Sequence, residues 1–146
     1  MMHIEGAMIT MFLASVVIGY LTMPIILGFS PNVRFHKNKV YGAVLMGGLM
    51  ALVELLMHGY HPQYQLWLLA WTSVIVISTT MIYYQVGITE HEFLRGMIEH
   101  HAMGIAMADR VVLREDVDSA TKTLGENIRA TQAQEIRMMD QMLKEW

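Results

Sequence analysis

Leu66–Tyr84 reads LWLLAWTSVIVISTTMIYY and contains no charged side chain. A helix needs about 20 apolar residues to cross the hydrocarbon core of a bilayer, and this run is close to that length. Trp67 and Trp71 stand at its start, Tyr83 and Tyr84 at its end. Amphipathic rings settle at the two interfaces of a membrane, so the pattern resembles an aromatic belt. Two further apolar runs precede it. Residues 7–29 carry no charge, and residues 40–57 carry only Glu54, with Tyr41 and Tyr60 as anchors. The spacing predicts three transmembrane helices at 7–29, 40–57 and 66–84, in a membrane domain of residues 1–86. The first run is long, lacks a basic leading segment and has no small-residue cleavage site, so it reads as a retained span rather than a signal peptide. Pro24 marks a kink or the exit from that span.

The charges are divided just as sharply. Residues 1–86 hold Arg34, Lys37 and Lys39 against Glu5 and Glu54, while residues 87–146 hold seven Lys/Arg and eleven Asp/Glu. Over the whole chain 54% of residues are hydrophobic and 16% charged, on the membrane side of the averages for soluble domains. No basic patch points to nucleic acid. Cysteine is absent, which excludes disulfides and thiolate ligands. The link 30–39 carries all three cations of the first half, and the link 58–65 carries none. The positive-inside rule therefore places the first link, and with it the C-terminal part, on the cytoplasmic side.

After Gly87 the chain turns polar. Thr89 with Glu92 three residues on forms a capping-box pattern, opening a helix over 90–113. Residues 114–118 form a charged turn. Ser119 is a candidate N-cap for a second helix over 119–146, where Leu124, Ile128, Met139 and Met142 recur with helical period. Two long helices and a short link make an antiparallel hairpin. A lone pair buries little surface, so the hairpin is expected to pack on a second copy, a partner or the spans.

Adjacent histidines in this hairpin sit among methionines. Imidazole and thioether are the neutral side chains that bind soft or borderline metals such as copper. Met97, His100, Gly104 and Met107 follow the i, i+3, i+4 rule, with Met103 one turn from His100 and His101 about 100° round. The second helix supplies a stripe of Gln132, Glu135, Met139 and Met142. Glu135 suits a hydrogen bond from a histidine N–H, as a carboxylate behind a metal ligand does. The candidate metal residues are His100, His101, Met97, Met103, Met107, Glu135 and Met139. Among the fifteen methionines, gap-filling in helix cores accounts for most, Met138 included. A second candidate metal site lies on the second span, where Met46, Met50 and Glu54 step along one face toward His58 and His61. The plainer reading pairs Glu54 across an oligomer or with Thr22 or Thr72, and takes Gly47-Gly48 as a packing face. His3, His36 and His91 are expected in solvent.

Phe93-Leu94-x-x-Met97-Ile98-x-His100-His101-x-x-x-Ile105-x-Met107-Ala108, with Ile128-x-x-x-Gln132-x-x-Glu135-Ile136-x-x-Met139 downstream, resembles the domain-of-unknown-function family 305. The likeness extends to Asn38-Lys39-Val40-Tyr41, Leu45-Met46 and Glu54-Leu55-Leu56-Met57, as in membrane-anchored members, and spans 31–146. It implies a ferritin-like helical bundle, and several members are linked to copper binding and resistance. That family commonly has a proline where this chain has Glu99, and often a tryptophan where it has Met142. Soluble relatives are often exported, which conflicts with a cytoplasmic hairpin.

The function expected is non-catalytic copper binding or homeostasis by an integral membrane protein, with Cu(I) favoured, in a homo-oligomer or larger membrane complex. The alternative is a structural or accessory subunit of a membrane assembly. A di-iron oxidase of ferritin type needs paired Glu-x-x-His motifs. Here Met97 occupies the position three before His100, and Glu135 is followed three later by Met138.

Overall fold

The computed structural model describes residues 4–58 and 62–145, so His3, Tyr60, His61 and Trp146 lie outside the described residues. The described residues are all-α: α1 (Ile4–Ile26), α2 (Lys37–His58), α3 (Tyr64–Tyr83), α4 (Glu90–Val112) and α5 (Ser119–Met142). The first three are each long and apolar enough to cross a membrane.

α1 stops at Ile26, short of residue 29. The chain there enters a left-handed turn at Gly28 (φ 60°) and Phe29 (φ 54°), and the Phe29 N–H donates to the Pro24 carbonyl at 2.8 Å. The N-cap of α5 is Asp118, not Ser119: the Asp118 carboxylate accepts from the Thr121 N–H at 2.9 Å. It ends at Met142, where the Leu143–Lys144 turn begins. Thr89 caps α4 as its sequence indicates, accepting from the Glu92 N–H.

The chain divides into two compact units that do not follow chain order. One contains Met1–Thr22 with Lys37–Ile88; the other contains Met23–His36 with Thr89–Trp146.

In the first unit α2 is the central helix. Of its most apolar stretch 28% is buried, against 11% for α1 and for α3. Consecutive helical residues point about 100° apart, and Gly47-Gly48 uses that difference. A Cβ at Gly47 would stand 2.7 Å from Val16 Cγ2 and 3.0 Å from the Phe12 carbonyl oxygen, both on α1. A Cβ at Gly48 would stand 3.1 Å from Val74 Cγ1 on α3. Close backbone approach through small residues is how helices associate where no water drives them together. Met8, Ala51, Leu55 and Trp71 form the buried core beside them. Trp71 stacks on Phe12 at 5.2 Å and on Trp67 at 5.9 Å, and is buried rather than set in a belt. The N-terminus of α2 is tied to the turn after α3: Lys37 Nζ donates to the Gly87 carbonyl at 2.8 Å, and Asn38 to Gln85 at 2.9 Å.

In the second unit Leu94, Ile98, Ala102, Ile136 and Met139 form the core, with Leu27, Met97, Ile105 and Leu143 packed against it. Leu27 comes from the link between α1 and α2. The link thus adds a third wall to the α4–α5 hairpin.

Candidate functional site

The α4–α5 seam is set by side-chain spacing. Met97, His101, Gly104 and Ala108 repeat at intervals of four, three and four, which keeps them within about 60° of one line along the helix. At Gly104 the helices come so close that a Cβ would lie 2.1 Å from Gln132 Oε1. At Gly125 it would lie 3.1 Å from Val112 Cγ2. Both glycines lie against side chains of the facing helix, and one of the two adjacent histidines faces into this seam.

That histidine is His101. Its Nδ1 lies 2.7 Å from the Met97 carbonyl, and its Nε2 lies 2.9 Å from Glu135 Oε2. The Met97 carbonyl can only accept, so Nδ1 carries a hydrogen. Nε2 faces the Glu135 carboxylate. The ring is largely buried, its side chain 14% exposed. Met97 and Met139 belong to the same packed cluster.

The rest of the proposed set lies elsewhere. His100 is exposed, its ring edge-on to His101 with centroids 6.2 Å apart. Met107 is also exposed, and Met103 is half-buried. Met97 and Met107 are ten residues apart, about 15 Å along the axis, so one ion cannot take both. The seven residues therefore separate into an inner group of Met97, His101, Glu135 and Met139 and an outer row of His100, Met103 and Met107. The inner choice was legible only in part, since His100 and His101 are each about one turn from Met97 and spacing alone does not choose between them.

On α2, Glu54 pairs with His58: Nδ1 stands 3.4 Å from Glu54 Oε1 and 3.0 Å from the Glu54 carbonyl. Thr22 instead donates to the Ile18 carbonyl. Met46 lies toward Gly19 on α1 and is about 12 Å along the axis from Glu54. Met50 is half-buried between them. His61 lies outside the described residues.

His36, expected in solvent, is largely covered, its side chain 12% exposed and its Nε2 2.9 Å from Glu99 Oε2. The Glu99 side chain is 2% exposed. Arg34 in the same link pairs with Asp140 of α5 at 2.8 Å. No sequence motif announced these pairs, although a lone acid between Ile98 and His100 on an otherwise core-facing arc was a signal. Among the described residues, no three His, Asp or Glu side chains converge to hold a metal ion.

Three helices long and apolar enough to cross a membrane are followed by a helical hairpin with an imidazole–carboxylate pair in its seam. Residues 90–146 match the model of the domain of unknown function (DUF305). The chain is also 32% identical over 143 residues to Uncharacterized protein L153 of Acanthamoeba polyphaga mimivirus, covering 97% of this chain and 93% of that protein. This chain belongs to the DUF305 family. No solved structure matches it significantly.

Proposed function

We propose that this protein is a membrane-anchored copper-handling protein that holds Cu(I) as cargo in the hairpin seam and hands it on without turnover. The observation that carries this is the His101–Glu135 pair, with Met97 one turn from His101 on α4 and Met139 one turn from Glu135 on α5, both methionines in the hairpin core. One imidazole and two thioethers suit a soft monovalent ion in donor chemistry. The Met97 carbonyl would hold the ring through Nδ1, and a proton lying between Nε2 and Glu135 would leave to solvent as copper binds, since metal ligands bind deprotonated. The fit is by donor type: His101 Nε2 must leave Glu135 before it can ligate. The family match supports the reading, given the copper link of several members.

The bilayer enters through α1, α2 and α3. If all three cross, the link after α1 and the hairpin after α3 lie on one side. The packing of Leu27, Arg34 and His36 against α4 and α5 agrees with that. The positive-inside rule makes that side cytoplasmic. The rule rests here on three cations that also have structural roles: Arg34 on Asp140, Lys37 on Gly87 and Lys39 over the Tyr20 ring.

The test is Cu(I) retention by the detergent-purified chain under reducing conditions, against a chromophoric chelator. Wild type is expected to retain copper and to release protons on loading. His101→Ala and Met97→Leu/Met139→Leu are expected to lose it, and His100→Ala to keep it. Loss in His100→Ala with retention in His101→Ala would move the site to the outer row. No retention by wild type would sink the copper reading. A second reading, an accessory subunit of a membrane assembly, is favoured by the absence of a three-donor cluster among the described residues and by exposed Met107 and Leu124 along the hairpin. Copper-free purification in a larger complex would support it.

A further inference from the structure

Three arcs of α4 face three different surroundings. The arc of Met97, His101 and Gly104 meets α5. The arc of His100, Met103 and Met107 is largely open. On a helix with about 100° per residue, Glu99 lies about 160° from His101, and this third arc meets the link. Leu27 packs on the hairpin core. His36 reaches Glu99 at 2.9 Å, with both side chains largely buried. Gly96 makes room for it: a Cβ there would stand 3.3 Å from His36 Nδ1. Arg34 reaches past α4 to Asp140 on α5. Further along, the link and α4 enclose a groove of about 380 Å³ lined by Leu27, Ser30, Asn32, Ala102 and Ala106.

We infer that Met23–His36 is a strap that fixes the rotational phase of α4 from the side away from α5, with His36 and Glu99 as positioning residues for the His101–Glu135 pair. A connection between two bilayer-length helices needs no ion pairs to close. This one has a pair on each hairpin helix, and a carboxylate as buried as Glu99 is costly unless partnered. Holding the back of α4 keeps His101 turned to Glu135 and His100 turned out. The inference stands whether or not copper is the cargo.

The experiment uses the full chain in detergent micelles, with amide hydrogen exchange and ¹⁵N spectra of the histidine rings. His36→Ala and Glu99→Gln are each expected to raise exchange across residues 30–36 by about tenfold or more. Both are also expected to shift the His101 ring signals, although Glu99 lies about 160° round α4 from His101. The exchanged pair His36→Glu/Glu99→His is expected to restore both readouts. Unchanged exchange in the single variants would overturn the strap. Raised exchange with unmoved His101 signals would overturn the positioning role. Should the Glu99 variants not fold, the half-exposed pair decides. Arg34→Asp would loosen residues 30–36 and Arg34→Asp/Asp140→Arg would restore them; no loosening would overturn the strap.

Discussion

Single glycines separate the two helix contacts that define this molecule, and they respond differently to a methyl group. At Gly47 the nearest atoms include the Phe12 carbonyl oxygen, part of a helix backbone that cannot step aside. Gly47→Ala is expected to destabilise by about 1–3 kcal/mol, the usual cost of overpacking. At Gly104 the nearest atoms all belong to the far end of the Gln132 side chain. That amide can rotate away, and alanine is the better helix former by about 1 kcal/mol, so Gly104→Ala should stay within about 1 kcal/mol of wild type. Thermal unfolding midpoints of the two variants in the same detergent would distinguish them; equal losses would contradict the packing described. Residue-scale reading of the sequence identified Gly47-Gly48 as a packing face and Thr89 as a cap. It missed His36 and Glu99, because burial of a link residue depends on contacts more than sixty positions away. Glu99 stands where the family resemblance led to a proline, and no local rule pairs that acid with a histidine before α2.

At the scale of elements, the hairpin turn carries its own charges. The Arg114 guanidinium beside Asp116 holds that carboxyl below the usual carboxylate range. Asp118 is held low by its bonds to Thr121, first from the hydroxyl and then from the backbone N–H. A carboxyl depressed by folding stabilises the folded form at every pH above its ordinary value, and that contribution is lost as pH falls through the depressed value. The first turn of α5 is therefore expected to fray at acid pH, below the ordinary carboxylate range, and to be firm at neutral pH. Asp118→Asn keeps a capping oxygen without a titrating group, and should remove the pH dependence of protection from exchange, relative to the intrinsic rate at each pH, at residues 119–121. If that dependence persists, another group governs the turn. Helix existence was legible at this scale because apolar runs and caps are local. Helix ends were less so: α1 stops early at a left-handed turn that only backbone geometry reveals.

For the whole molecule, the sequence shows the split between greasy and charged halves, but not that the link crosses it. Composition places a boundary near Gly87, whereas packing assigns Met23–His36 to the hairpin. Hydropathy cannot see this, because the ion pairs that bind the link join residues far apart in sequence. A topology prediction follows from three crossings. Reporters fused at the N-terminus and after Trp146 should read opposite sides of the membrane. A label at Asn32 should read with the C-terminus. Reporters at both termini on one side would remove the three-span reading. The left-handed turn at Gly28 and Phe29 bears on how this chain can be handled and how it can diverge. Surface connections usually absorb insertions, tags and protease sites without harm. Here the segment after that turn is a structural member, so length changes between Ser30 and His36 would disturb the hairpin itself. The charged turn at residues 114–117 is largely exposed, with Arg114 paired to Asp116 inside it, and is the place where a fluorophore or an epitope should be tolerated.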